Sequence, residues 1–163
     1  AQLALRHRVS WQLEARTGWT TKQALTRLRS IAPAQFDVAV TALGVNDATR
    51  LKPIAAWIDH GRRMRATLRQ HFGVQRFYVS GLPPLGKFPL LPEPLAYVLG
   101  RHAENMMAAQ HNALQQEPDV VRVGFDQPFD AQVMASDGFH PGPLVYAAWA
   151  QVLAHRIEID FTE

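Results

Sequence analysis

The sequence contains no cysteine. Disulfides and cysteine-based metal or redox chemistry are therefore excluded, while reducing and oxidising compartments both stay compatible. Long apolar runs are also lacking. Arg, Gly or Pro breaks each one, so no membrane span is expected. The opening residues, Ala-Gln-Leu-Ala-Leu-Arg-His-Arg, carry charge where a secretory signal would stay apolar. Lysine is scarce beside arginine, and the formal net charge is only +3. The densest basic run is Arg62, Arg63, Arg65, Arg69 and Arg76. No aromatic stacking pattern interleaves it and no nucleic-acid motif accompanies it, so it reads as the solvated face of a helix. The histidines at 7, 60, 71, 102, 111 and 155 have no ligand at metal spacing, and neither a metal site nor a cofactor is expected.

What is present is an alternation of strand-like and helix-like stretches. The 163 residues suit one domain, 1–163, with a substantial core. Residues 1–7 read as the end of a helix. Val9 to Ala15 alternates apolar and polar, which predicts a strand with one wet face. Thr20 or Thr21 caps a helix whose apolar positions are Ala24, Leu25, Leu28 and Ile31. Phe36 to Leu43 is mostly apolar and reads as a strand covered on both faces. Pro53 opens a helix that Gly73 ends near Phe72, and Arg76 to Ser80 is the next strand.

The Gly- and Pro-rich stretch from Gly81 to Pro94 cannot be a helix or a central strand. Its leucines and Phe88 want cover, which predicts an ordered loop over one end of the sheet. A helix from Leu95 to Gln116, a strand from Val120 to Phe125 and a final helix from Leu144 to Ile157 complete the pattern. The last helix is expected to turn Val145, Ala148, Trp149, Val152 and Leu153 inward. The alternation predicts an α/β fold with a mostly parallel sheet between helices. In such a sheet the site lies at the loops after the C-terminal strand ends.

Three stretches fall there. Asp137-Gly138-Phe139-His140-Pro141 puts a carboxylate three residues before an imidazole, in a turn tightened by glycine. The carboxylate can hold one ring nitrogen as a donor and leave the other to accept a proton from a nucleophile. Asn46 is a side-chain amide at a strand end, suited to donate to an oxyanion. Gly18 lets a backbone N–H approach a ligand with no Cβ in the way. Asp47 reads as a brace for its loop. Trp19, Phe88, Leu90 and Leu91 are candidates for a substrate pocket.

Ala42-Leu43-Gly44-Val45-Asn46-Asp47 resembles the Gly-x-Asn-Asp block of the SGNH (GDSL-type) hydrolases. Ser136-Asp137-Gly138-Phe139-His140-Pro141 resembles their Asp-x-x-His-Pro block, and Ala15 to Thr21 their glycine block. The resemblance covers the whole chain. It implies a three-layer α/β/α, flavodoxin-like fold and a Ser-His-Asp ester hydrolase acting on small-molecule esters. His140 and Asp137 would be catalytic, and Gly18 and Asn46 would form the oxyanion hole.

One block departs from the pattern. The family's Gly-Asp-Ser turn would lie upstream of Ala15, and nothing there contains it. Ser10, Ser30, Ser80 and Ser136 all read as structural or supporting. The expectation is therefore that the first strand and the nucleophile precede Ala1. The alternative is a catalytically inactive acyl- or glycan-binding module of the same fold. Oligomeric state is left open. A soluble protein is expected, the cytoplasm being favoured over a periplasmic or secreted setting unless a signal precedes Ala1.

Overall fold

The computed structural model describes residues 3–124 and 133–161. Its ordered elements are α1 (Thr21–Leu28), β1 (Val38–Thr41), α2 (Val45–Thr49), α3 (Ile54–Phe72), β2 (Arg76–Ser80), α4 (Leu95–Leu114), β3 (Val120–Val123) and α5 (Pro143–Asp160). The strands form a parallel sheet in the order β1-β2-β3. Val38 pairs with Arg76 and Thr41 with Val79; Phe77 pairs with Val120 and Ser80 with Val123. Each crossover is helical, as parallel pairing demands.

Strand alternation decides which helix lies on which face. Phe77 points to the side of α1 and α3, in a cluster with Ala24, Leu25, Met64, Leu68 and Phe72. Tyr78 points the other way, and its hydroxyl donates to Asp160 at the end of α5 (2.8 Å). Desolvation, and next the adjoining Asp160 carboxylate, push the Tyr78 hydroxyl up to about 12. The result is the expected three-layer α/β/α arrangement. Phe77 and Tyr78 are fully buried, and each such burial contributes roughly 2 kcal/mol.

The helix signals in the sequence act where expected. Thr20 is the N-cap of α1, and the Gln23 side chain accepts from its N–H (3.0 Å). Pro53 precedes the first turn of α3 and Gly73 closes its last. Gly81 to Pro94 is ordered around one 3-10 turn, Leu85–Lys87. Leu82, Leu85 and Phe88 are buried in a second cluster with Trp57, Leu99, Met106 and Val145.

Five expectations are corrected. Val9 to Ala15 forms no strand, and Trp11 is 78% exposed, because no neighbouring strand among the described residues offers it a ladder. The opening stretch, described from Leu3, holds a 3-10 turn, Leu3–Leu5, in place of the expected helix end. The strand predicted over Phe36 to Leu43 is the shorter β1, and Val40 on it is 41% exposed rather than covered. In α5 the fully buried positions are Val145 and Ala154, while Val152 is exposed. The arginine run is not a free solvated face. Arg62 and Arg63 pair with Asp59, Arg65 and Arg69 with Glu117, Arg69 also with Asp119, and Arg76 with Asp160. Arg65 is buried, and the Arg69 guanidinium lies 4.7 Å from the centre of the Phe77 ring. The end of the strand predicted to reach Phe125 lies outside the described residues.

Candidate active site

Residues 133–142 fold back on themselves. Met134 bridges Pro141, Ala135 N–H donates to the His140 carbonyl (2.8 Å), and Gly142 N–H donates to the Val133 carbonyl (2.8 Å). The turn tip needs Gly138 at φ +63°, a conformation costly for residues with a Cβ. Leu90 also presses on Gly138: a Cβ there would lie 2.8 Å from Leu90 Cδ1. Inside this turn one Asp137 oxygen accepts from the Phe139 N–H (3.0 Å) and the His140 N–H (2.9 Å). The other lies 2.5 Å from His140 Nδ1. The His140 backbone N–H, then its ring, then the Phe139 N–H lower the Asp137 carboxyl to about 2. It is thus a carboxylate throughout the range in which an imidazole is neutral. That carboxylate favours the tautomer with the proton on Nδ1, leaving Nε2 as an acceptor. Both side chains are accessible, at 56% and 51% for His140 and Asp137.

Phe139 anchors the turn from below, edge-on to the buried Phe88 at 5.4 Å between centroids. It packs on the same core cluster as Val45 and Ala48, which flank Asn46 and Asp47 in the helix after β1. One hydrophobic cluster therefore supports both candidate blocks.

The α2 helix is cross-linked to the glycine block at three points. Asn46 Nδ2 donates to the Trp19 carbonyl (3.1 Å). The amide carries two N–H groups, so one orients the side chain and the second is left to donate elsewhere. Asp47 Oδ2 accepts from both the backbone N–H (2.9 Å) and the hydroxyl (3.0 Å) of Thr21, whose Oγ1 in turn accepts from Trp57 Nε1 (3.1 Å). Arg50 donates to the Gly18 carbonyl (3.0 Å). Gly18 itself has φ +80°. Asp47 is buried, so Asp47→Ala strands two donors without water. An unfolding free-energy loss of about 3 kcal/mol is expected by urea denaturation. A loss under about 0.5 kcal/mol, the size of a neutral surface change, would rule out this bracing role.

A family model described as the GDSL-like Lipase/Acylhydrolase family matches residues 1–148. The chain belongs to this family. Among solved structures it is similar to one described as a platelet activating factor from Streptococcus pneumonia. The TM-score is 0.70 at 14% identity, over 85% of this chain and 68% of that one. It is also similar to a carbohydrate esterase family 2 enzyme with a carbohydrate binding domain from Corynascus thermopiles (Myceliophthora fergusii). There the TM-score is 0.51 at 20% identity, over 79% of this chain and 38% of that one. At these identities the likeness is one of fold, the SGNH hydrolase fold. No curated protein matches the chain.

In this GDSL-like acylhydrolase the remaining candidates fall in different settings. Trp19 is half-buried against the α1–α3 cluster. Phe88 is a core side chain, Leu91 packs on the same core, and Leu90 is 61% exposed beside the His140 turn. Ser80 is 2% exposed and its hydroxyl has no partner among the described residues. Ser10, Ser30 and Ser136 are exposed, and no serine hydrogen-bonds His140 among the described residues. A partly open cavity of about 30 Å³ lies between α3, α4 and the sheet, lined among others by Trp57, Arg65, Val79 and Gln110, and neither His140 nor Asn46 lines it. Sequence reasoning missed the Thr21–Trp57 link and the Arg50 contact with Gly18. Both depend on long-range packing, and the only local signal was an acidic residue following Asn46.

Proposed function

We propose that the protein is a serine ester hydrolase acting on a small-molecule ester. The observation that carries this reading is the Asp137–His140 pair, with one ring nitrogen held by a carboxylate, the other without a partner among the described residues, and the ring accessible. His140 Nε2 takes the proton of a serine hydroxyl as it attacks the ester carbonyl. The Gly18 N–H and the second N–H of Asn46 hold the developing oxyanion. His140 then protonates the departing alcohol, and a water molecule repeats the steps to release the acid. No step calls for a metal or cofactor.

The serine in this scheme belongs to a segment preceding Ala1, which adds a strand along β1 and completes a single domain with residues 1–163. Three observations support this. β1 pairs with β2 alone among the described residues. Apolar Val40, Trp11 and Leu13 lie exposed. The one serine at the C-terminal end of a strand, Ser80, is buried. Fluorophosphonate labelling of the protein expressed from its complete reading frame, followed by peptide mapping, tests the scheme. One labelled serine upstream of Ala1, lost in His140→Ala, is expected. Labelling at Ser80 would refute the nucleophile assignment, and a folded protein with no labelling would favour an inactive acyl- or glycan-binding module.

A further inference from the structure

Most arginines with a defined role in this fold are neutralised. Arg62, Arg63, Arg65, Arg69 and Arg76 each face a carboxylate. Arg50 does not. It is exposed, and its hydrogen bond goes to a neutral acceptor, the Gly18 carbonyl, at 3.0 Å. A Cβ built on Gly18 would lie 3.7 Å from Arg50 Nη2, so the guanidinium covers the bare side of that residue. The nearest acid in sequence, Asp47, is buried and committed to Thr21. One N–H of Arg50 is used on Gly18, and the rest of a planar five-donor fork stays available to solvent.

The surroundings share its sign. Arg16 lies two residues before Gly18, and its carbonyl accepts from the Trp19 N–H (3.2 Å). Lys22 follows Thr21 in the first turn of α1. Lys52 lies two residues after Arg50, tied by its backbone N–H to the Asp47 carbonyl (2.9 Å). All three are exposed, and none makes an ion pair among the described residues. Exposed cations on the segments that carry Gly18 and Arg50 raise the local concentration of anions. A guanidinium is suited to hold a carboxylate or phosphate through paired N–H donors.

We propose that Arg50 is a specificity-determining residue that recognises an anionic oxygen group carried by the ester next to its scissile carbonyl. This rests on the oxyanion role of Gly18 and Asn46. Arg50 bonds the carbonyl of the residue whose own N–H is the proposed oxyanion donor, so the same side chain restrains that residue and reads the charge beside it. The natural substrate class is then an ester bearing a carboxylate or phosphate near the bond that is cut.

The test is steady-state hydrolysis of neutral 4-nitrophenyl butyrate by the protein from its complete reading frame, with inorganic phosphate or acetate as inhibitor. In the unmodified protein the anion is expected to raise KM and leave kcat unchanged. Arg50→Gln keeps a donor for Gly18 and removes the charge, so it should weaken the inhibition about tenfold, the size of one charge-assisted contact. Arg50→Lys should retain most of it. Whichever of phosphate and acetate inhibits more strongly identifies the anion class. Equal inhibition of the Gln variant and the unmodified protein, or inhibition confined to kcat, would overturn the proposal while leaving the hydrolase reading intact. Absence of any ester hydrolysis by the folded, unmodified protein would remove both.

Discussion

His140→Ala, made in the protein expressed from its complete reading frame, is expected to lower kcat by about four powers of ten with little change in KM. The reason lies in what the ring does at each step. A serine hydroxyl is a weak nucleophile at neutral pH and needs its proton removed as the bond to carbon forms. In the proposed scheme the Asp137 carboxylate, 2.5 Å from Nδ1, stabilises the imidazolium produced. Without the ring neither proton transfer has a carrier, while substrate binding is largely untouched. The His140 side chain is exposed, so its removal leaves no core cavity and the variant should fold. Stopped assays on a 4-nitrophenyl ester, with circular dichroism as a control for folding, measure the effect. A folded variant retaining more than about one tenth of kcat, which is less than a general base is worth, would refute the assignment.

Asn46→Ala is expected to cost about two to three powers of ten in kcat, the usual value of one oxyanion donor. Asn46 also donates to the Trp19 carbonyl, so its loss loosens the segment that carries Gly18. The two effects separate by measurement. Loss of the oxyanion donor lowers kcat with KM nearly constant, since the charge it meets exists only in the transition state. Loosening of the 18–21 segment lowers thermal stability instead. Asn46→Asp sharpens the comparison by replacing a donor with a negative charge at the site of a developing negative charge, and should be at least as damaging. An Asn46→Ala variant with unaltered kcat would show that the amide serves only to hold Trp19.

Much of the fold was legible because its signals are local. Pro53 and Gly73 bound α3 since a ring that fixes φ suits a helix start and a residue without Cβ suits its end. The Asp137–His140 contact was legible for the same reason: three residues and a glycine turn suffice to bring the groups together. Val9 to Ala15 failed because alternation describes a face, and a strand exists only where another supplies its hydrogen bonds. The α5 face failed because a helix apolar on nearly every side has no stripe to identify; what it packs against decides which residues are covered.

The sequence by itself determined the class of fold, the helix limits and the geometry of the Asp137–His140 turn, because each follows from backbone preferences or from groups a few residues apart. Only the tertiary structure decided that Asn46 spends one N–H on Trp19, that Asp47 is buried under Thr21, that Arg50 faces Gly18, and that the arginine run is tied to Glu117, Asp119 and Asp160. Those contacts join residues 26 to 84 positions apart. No local preference encodes them. They arise when packing of the apolar clusters closes the intervening chain, and the polar groups then take the partners that this packing leaves within reach.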